Sequence, residues 1–579
     1  MPKSGFQQLA SQLKVGAFRS LVPALCAALT MVGCLSPEVL ISLPESYPEG
    51  AGHSYPGLVG IPNLDDDNEN GVVDWDEPEL IDEENDLAVL TLKTEVFRGI
   101  SSNQGVYLVL MGDTNHLRLW RDGEVALGKV EGGHVAEHRV YSPPSLDESA
   151  PGGEYESDIE YLLEFRDFLN AARLRLELRE DGQVIESDEI FLTSSPLVLN
   201  HHLQQTEHVW VLDSDYGPNY NNQQMIGIYE DVLGDMFTAI DGPTYGGDPW
   251  VQDEFQFGWT HAPGLRNDIV VDSIRDRPLD SYPEDELEQP DWVVMTWGDT
   301  SYVNSLDSFG NLEVSPPVTV DGVHYPFGRI YFGGDENLYP DKELTDFLAS
   351  QQIQNPFQVD TTWLCVSHID EIVSFVPDPS APRGFRLVWA DTHAAWDLLE
   401  SMDGDAPLAK YGLQYPDGHE LENVDAFLDD PALRFVNEEI QEDYLDPLLD
   451  LMKTELGLSD EEVVLMPSLF EEAPGCGGNV AALIPGMANL FVTNRGEQTD
   501  IFLADPFMRD TVHSSVGQDQ DPFIDYVERI MPDDIEFHFV DDWSIYHMSL
   551  GEVHCGSNST RTPAANWWEV AAHLLPEAP

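Results

Sequence analysis

Of the 579 residues, 27 are basic and 106 acidic, a formal charge of -79, and 42% are apolar. That length suits two or three domains, and the apolar and aromatic content excludes a wholly disordered chain. The acidic surplus argues against nucleic acid as a partner, since phosphate binding needs the opposite sign, and it favours cations, Ca2+ and arginine-bearing chains among them.

Lys3, Lys14 and Arg19 form a basic start with no acid before Glu38, and an apolar run from Leu21 to Val32, interrupted by Pro23, follows. Residues 1–33 read as an export signal, too short for a permanent membrane span. Met31-Val32-Gly33-Cys34 resembles a bacterial lipobox, which would make Cys34 the lipidated mature N-terminus; simple secretion is the alternative. The expectation is an exported protein, a cell-envelope lipoprotein or a secreted one, touching membrane only through that lipid. Four cysteines would remain, Cys34, Cys365, Cys476 and Cys555, too few in so long a chain for a disulfide scaffold. Cys365 and Cys476 could pair, which sequence leaves open. Residues 34–62, rich in Pro, Gly and Ser, read as a tether.

Residues 66–77 fit the twelve-residue calcium-loop pattern. Asp66, Asn68, Asn70, Asp74 and Glu77 fall at loop positions 1, 3, 5, 9 and 12, Gly71 at 6, and the Val72 carbonyl at 7. Pro62 and Pro78 flank the loop where the helices of an EF-hand would run, so a structural calcium site without those helices is expected.

Strand-like runs follow at Leu87–Val96, Val106–Met111, Leu117–Arg121, Tyr161–Phe165 and Leu174–Leu178, alternating apolar and polar residues. They predict a β-sandwich over 63–199. Near residue 200 the texture changes. Strands at Trp292–Trp297, Phe385–Ala390, Val463–Met466, Leu490–Thr493 and Glu536–Val540 alternate with helices at Lys342–Gln352, His393–Met402, Val436–Leu456 and Pro522–Ile530. This predicts a mixed α/β domain over 200–579, large for one core and suited to several pseudo-repeated units, although no internal repeat is legible in the residues.

Three clusters in that half carry a chemical logic together that none carries alone. They contain Trp250 and Asp253, His368 and Asp370, and Cys555. A guanidinium is planar, always charged, and presents its donors in a fork that two carboxylates can hold. A bound cation favours thiolate over thiol in a nearby cysteine. The thiolate can attack the central guanidinium carbon while a histidine protonates departing ammonia.

These clusters resemble the vertebrate-type protein-arginine deiminases. The likeness runs through Trp250-Val251-Gln252-Asp253-Glu254, the run from Leu306 to Val318, His368-Ile369-Asp370-Glu371, Ser374-Phe375-Val376-Pro377, the run from Gly551 to Gly556, and the closing Trp567-Trp568. It covers roughly 200–570. It implies a five-bladed, pseudo-symmetric α/β propeller preceded by an all-β immunoglobulin-like sandwich, with too few residues ahead of 66–77 for the family's first such domain. It implies Cys555 as nucleophile, His368 as general acid and base, and Asp253 and Asp370 as the acids that bind the two guanidinium edges. Trp250 would wall the substrate stem, and Arg277, in a segment shared with Arg275, would grip the substrate backbone.

The resemblance also implies several Ca2+ ions. Gln252, Gln256, Glu313 and the carbonyls of Phe309 and Leu312 would serve one, and Glu254, Asp272, Ser273 and Asp276 another. Gln256 stands where the family has an acid, and Asp276 where it has an asparagine. Ser367 replaces a glycine before the histidine, and Ser549 an arginine upstream of the nucleophile. The expected reaction is calcium-dependent hydrolysis of peptidyl arginine to citrulline and ammonia through a covalent amidino-thioether. The rivals are deimination of a small guanidine such as free arginine or agmatine, and a catalytically silent calcium-binding surface lipoprotein.

Overall fold

The computed structural model describes residues 41–42 and 57–575, except 69, 78–85, 93–101, 113, 131–132, 142–157, 219 and 413–420. The expected export segment 1–33, Cys34, and the tether up to 56 apart from Ile41–Ser42 lie outside the described residues. Among the described residues no helix is long and apolar enough to cross a membrane.

Two sheets form the first half. Strands 41–42, 88–92, 159–165, 117–121, 124–130 and 133–135 make one, in that spatial order, and 57–60, 183–194, 171–180, 104–112 and 137–141 the other. Leu58, Leu90, Leu108, Leu119, Leu163 and Leu174 meet in one core, and strands such as 88–92 and 171–180 reach it by two-residue alternation. The expected tether ends earlier than residue 62. Gly57–Gly60 is a buried strand parallel to Phe191–Ser194. Its glycines serve close packing: a Cβ at Gly60 would stand 3.0 Å from the Phe165 ring.

The second half is mixed α/β and built of many small sheets, with no closed barrel among the described residues. Five of these sheets share one pairing pattern, in which a central strand pairs antiparallel on one side and parallel on the other. The central strands are Thr206–Asp213, Leu265–Asp272, Ile330–Gly333, Phe385–Asp391 and Gln498–Ala504. Helices at Gln223–Leu233, Lys342–Ser350, Thr392–Ser401 and Pro522–Ile530 lie on the way to the parallel partner, as such a crossover requires. The last strand, Ser557–Arg561, pairs with the first central strand, so the chain's end completes its first unit.

The helix expected at Val436–Leu456 begins at Pro431, with Asp430 accepting from the Ala432 and Leu433 N–H groups, and passes through a π-turn at Gln441–Leu445. Cys365 and Cys476 form a disulfide with Cα atoms 5.4 Å apart. Trp259, Trp567 and Trp568 join the sandwich core, and Trp567 Nε1–H donates to Ser195 Oγ at 3.2 Å, tying the two halves together.

Candidate active site

The five units converge through equivalent segments. In each, the residues just before the antiparallel outer strand reach the same place: Trp250–Glu254 before Phe255–Ala262, Phe309–Asn311 before Leu312–Val314, His368–Glu371 before Val373–Pro377, Asn489 before Phe491–Arg495, and Cys555 before Ser557–Arg561. A cavity of about 170 Å³ lies there, lined by Trp250, Asp253, His368 and Cys555, with Arg275 and Arg277 at its wall.

Cys555 Sγ lies 3.3 Å from Asp370 Oδ2, and Asn489 Nδ2 donates to the same sulfur at 3.2 Å. Asn489 also holds the Asp370 carbonyl at 3.1 Å and accepts from the His554 N–H at 2.8 Å, so one amide fixes acid and nucleophile together. Burial, then the facing Asp370 and Asp253 carboxylates, push the Cys555 thiol well above its ordinary range. In this arrangement the sulfur is a thiol, not a thiolate.

His368 Nδ1 is 3.3 Å from Asp253 Oδ1, and its Nε2–H donates to the Ser305 carbonyl at 2.8 Å. Burial works against charge on the ring, but Asp253, Asp370 and Glu371 outweigh it and raise His368 to about 9. Burial alone would raise Asp253; the imidazolium and the two arginines instead hold it below the usual carboxylate range. The pair is therefore an imidazolium on a carboxylate at neutral pH. Gly310 packs against all three groups: a Cβ there would stand 2.8 Å from Asp253 Oδ1, 2.9 Å from His368 Nδ1 and 3.2 Å from Asp370 Oδ1.

Arg277 Nη1 donates to Asp253 Oδ2 at 3.1 Å, and its other edge binds Asp248, through Nε at 2.9 Å and through Nη2. Arg275 donates to Ser308 Oγ. Trp250 is half-buried, edge-on to Tyr546 at 5.6 Å, and pressed against Gly551, where a Cβ would collide with its ring.

The residues expected to hold calcium are partly gathered. Glu254 is fully buried, neither of its oxygens has a hydrogen-bond partner, and burial raises it to about 9. Its carboxylate groups with those of Asp272 and Asp280, and Asp272 Oδ1 is likewise without a partner. Hard, unsatisfied carboxylate oxygens are the ligand type Ca2+ takes, and it would complete its six to eight with backbone oxygens and water. Asp280 was not among the expected ligands, and Asp276, which was, is exposed and outside this group. Ser273 Oγ instead donates to the Asp307 carbonyl at 2.9 Å.

In the other set, Gln252 and Gln256 turn their amide nitrogens to the Phe309 and Leu312 carbonyls, at 3.1 and 3.0 Å, and Glu313 pairs with His202 and His554. The oxygen types fit calcium; rotation of both amides would present oxygen.

The 66–77 loop differs from its expectation. Asp66 accepts from the Asn70 N–H at 3.0 Å and from that of Gly71, whose φ of 82° meets the turn demanded there. Asn68, Asn70 and Val72 are exposed, and Asn70 donates to Glu77. The carboxylates that converge are Asp65, Asp74 and Asp86, of which only Asp74 was expected. A twelve-residue pattern cannot reveal acids lying just outside it, and Asp86 is brought in by the fold.

Asn489, Ser305, Asp248 and His554 carried no signal in sequence as single residues. The five-fold equivalence of the pre-strand segments would have pointed to Asn489, but it is legible only once the strands are placed.

A family model described as Protein-arginine deiminase (PAD) matches residues 184–569. Human protein-arginine deiminase type-4 is 28% identical over 587 residues, 94% of this chain and 82% of that protein. Mouse protein-arginine deiminase type-1 is 33% identical over 335 residues, 55% of this chain and 47% of that protein. Among solved structures, a C. jejuni agmatine deiminase aligns with a TM-score of 0.34 at 11% identity, covering 64% of this chain and 98% of that one. With its match spanning all five converging segments, the chain belongs to the protein-arginine deiminase family.

Proposed function

We propose that the chain hydrolyses peptidyl arginine to peptidyl citrulline and ammonia, in a calcium-dependent reaction with Cys555 as nucleophile. The observation that carries this reading is the meeting of Asp253, His368 and Cys555 on one cavity, with Asp370 against the sulfur. The Asp248–Asp253 edge already receives a guanidinium, that of Arg277, so the pocket has the charge and shape for such a group.

Asp253 and Asp370 would take the two edges of the substrate guanidinium once Arg277 turns to the peptide backbone. Each charge-assisted hydrogen bond gained is worth about 1.5–3 kcal/mol. The incoming cation neutralises the carboxylates that keep Cys555 protonated, so substrate itself favours the thiolate; the thiol proton passes to solvent and is regained from solvent when the sulfur is released. Sulfur then bonds the central carbon. His368 delivers its proton to the departing ammonia, leaving an amidino-thioether, then takes a proton from the attacking water as citrulline leaves and the thiol returns.

Ca2+ would be held by Glu254, Asp272 and Asp280, by the Gln252, Gln256, Phe309, Leu312 and Glu313 set, and by Asp65, Asp74 and Asp86. When bound it supplies positive charge that satisfies these buried oxygens. The five repeated units read as blades of a five-bladed propeller, and the 57–194 sandwich as immunoglobulin-like. Residues 1–33 read as an export signal, with Cys34 as lipid anchor or, in the alternative, simple secretion.

Citrulline release from a blocked arginyl peptide, with and without Ca2+, for the parent and Cys555→Ser tests the reading. Turnover by the parent alone is expected. Equal turnover by Cys555→Ser would overturn the nucleophile, and turnover of agmatine but not peptide would favour the small-guanidine rival.

A further inference from the structure

We propose that His202, His554 and Glu313 form a binding site for a transition-metal dication of borderline softness, Zn2+ or Co2+, separate in chemistry from the calcium sites. His202 Nε2 lies 3.2 Å from Glu313 Oε2, His554 Nε2 lies 3.5 Å from Glu313 Oε1, and all three ligand atoms lie within 4.8 Å of one another. A tetrahedral ion with bonds of about 2.0–2.1 Å sets neighbouring ligand atoms roughly 3.3–3.4 Å apart, which these spacings already approach.

The second nitrogen of each ring is occupied in the way metal-ligating histidines require. His202 Nδ1 meets Ser374 Oγ at 3.1 Å, and His554 Nδ1 meets Asp370 Oδ2 at 2.9 Å. Each ring is thereby fixed with Nε2 turned toward the carboxylate. The three residues are buried, Glu313 to 3% exposure, and Glu313 Oε1 has no hydrogen-bond partner. The contact of that oxygen with His554 Nε2, at 3.5 Å, is too long for a hydrogen bond, and a dication bound between the two rings would satisfy it directly. Arg561 is near but does not meet it. Its guanidinium donates to the carbonyls of His202 at 2.9 Å and Val492 at 2.7 Å, and its charge weakens the site without occupying it.

Two imidazoles and one carboxylate select against Ca2+, which takes six to eight oxygens, and suit Zn2+ or Co2+. The ion would pin His554, and through it Asp370, which touches the Cys555 sulfur. It would also hold Glu313 away from the Phe309 and Leu312 carbonyls. Such an ion is therefore an inhibitor. Its competition with Ca2+ rests on Glu313 being a calcium ligand, as read above.

The test uses the full chain, stripped of metal and free of calcium, titrated with Zn2+ by calorimetry and with Co2+ by visible absorption. One ion should bind, with Cys555→Ser unaffected, Ser374→Ala weakened about 10- to 100-fold, and His202→Ala weakened further. X-ray absorption of the zinc-loaded parent should show two imidazole nitrogens and no sulfur, a measurement independent of whether a variant folds. Sulfur in that shell, unchanged binding by folded His202→Ala, or no stoichiometric ion would overturn the site. Added Ca2+ should lower zinc affinity; tight zinc binding indifferent to Ca2+ would overturn the calcium role of Glu313 and leave the zinc site standing.

Discussion

Arg277 Nη1 rests 3.1 Å from Asp253 Oδ2, so the protein's own guanidinium sits on a carboxylate read as the receiver of the substrate's. The same side chain is read as the grip on the peptide backbone, and it cannot do both at once. Substrate binding must exchange one guanidinium for another on Asp253.

Arg277→Gln separates the two roles. Losing charge-assisted contacts of about 1.5–3 kcal/mol should lower kcat/KM for a blocked arginyl peptide by roughly 10- to 100-fold. The small cation agmatine has no peptide backbone to lose, so any turnover of it should fall far less. Steady-state ammonia release from both substrates measures this. Equal losses would mean that Arg277 only positions Asp253.

Much of this site was legible before the fold was known, and the reason is local. Asp253, His368, Asp370 and Cys555 each sit in a short run whose neighbours are also distinctive, and the structure brings all four together. The strands at 117–121, 385–390 and 463–466 were readable because alternation and apolar runs are sequence-local properties. Asp280 and Asp86 were not, since what gathers them is the packing of segments that carry no pattern of their own. The strand at 57–60 was hidden because glycine chosen for close approach looks like glycine chosen for flexibility.

His368, raised to about 9 by its acidic neighbours despite burial, should shape both stability and rate. Its folded value lies above the ordinary 6.5, so its stabilising effect is complete below about pH 6.5 and is lost as pH climbs through 9. Urea midpoints of the calcium-free protein should fall across that window, and His368→Gln should flatten the fall. The first half-reaction should slow above about pH 9, where the proton for ammonia is gone. A rate that keeps rising past pH 9 would remove His368 as the acid.

Ser367 has a φ of 68°, the left-handed region that favours glycine, immediately before His368. Relief of about 1–2 kcal/mol of strain in Ser367→Gly is offset by added freedom of the unfolded chain. It is offset further by loss of the Ser367 Oγ–H to Leu364 carbonyl bond of 2.9 Å. The net change should be within about 1 kcal/mol of zero. Ser367→Val should cost about 2 kcal/mol or more and lower kcat, because a branched residue cannot hold the bend that aims the histidine. Chemical denaturation of both variants measures the contrast.

Burial raises Glu254 to about 9 and Asp272 to about 7, so near neutrality the calcium-free protein holds a proton on Glu254 and shares one with solvent at Asp272. Their contribution to calcium-free stability is full below about pH 4 and is lost as pH rises through 7 and then 9. Calcium must displace those protons, so its affinity should rise with pH over that range and binding should release protons. Calorimetry in buffers of differing ionisation enthalpy counts them, and Glu254→Gln should reduce the count. Calcium binding with no proton release at pH 7 would place the ion elsewhere.

The Cys365–Cys476 bridge closes a separation of 111 residues, for which chain entropy allows stabilisation of up to about 4–5 kcal/mol. Its other effect is on aim, since Cys365 lies three residues before His368. That loop has further anchors: the Cys365 N–H donates to the Val480 carbonyl at 2.8 Å, Asn479 Nδ2 to those of Thr362 and Leu364, and Thr361 Oγ1–H to that of Ser367 at 2.6 Å. These bonds hold the histidine without the sulfur link. Cys365→Ser with Cys476→Ser should therefore lower the thermal midpoint by several degrees while leaving kcat at 25 °C nearly unchanged. A kcat that collapses while the midpoint barely moves would mean that the disulfide, not the hydrogen bonds, aims His368.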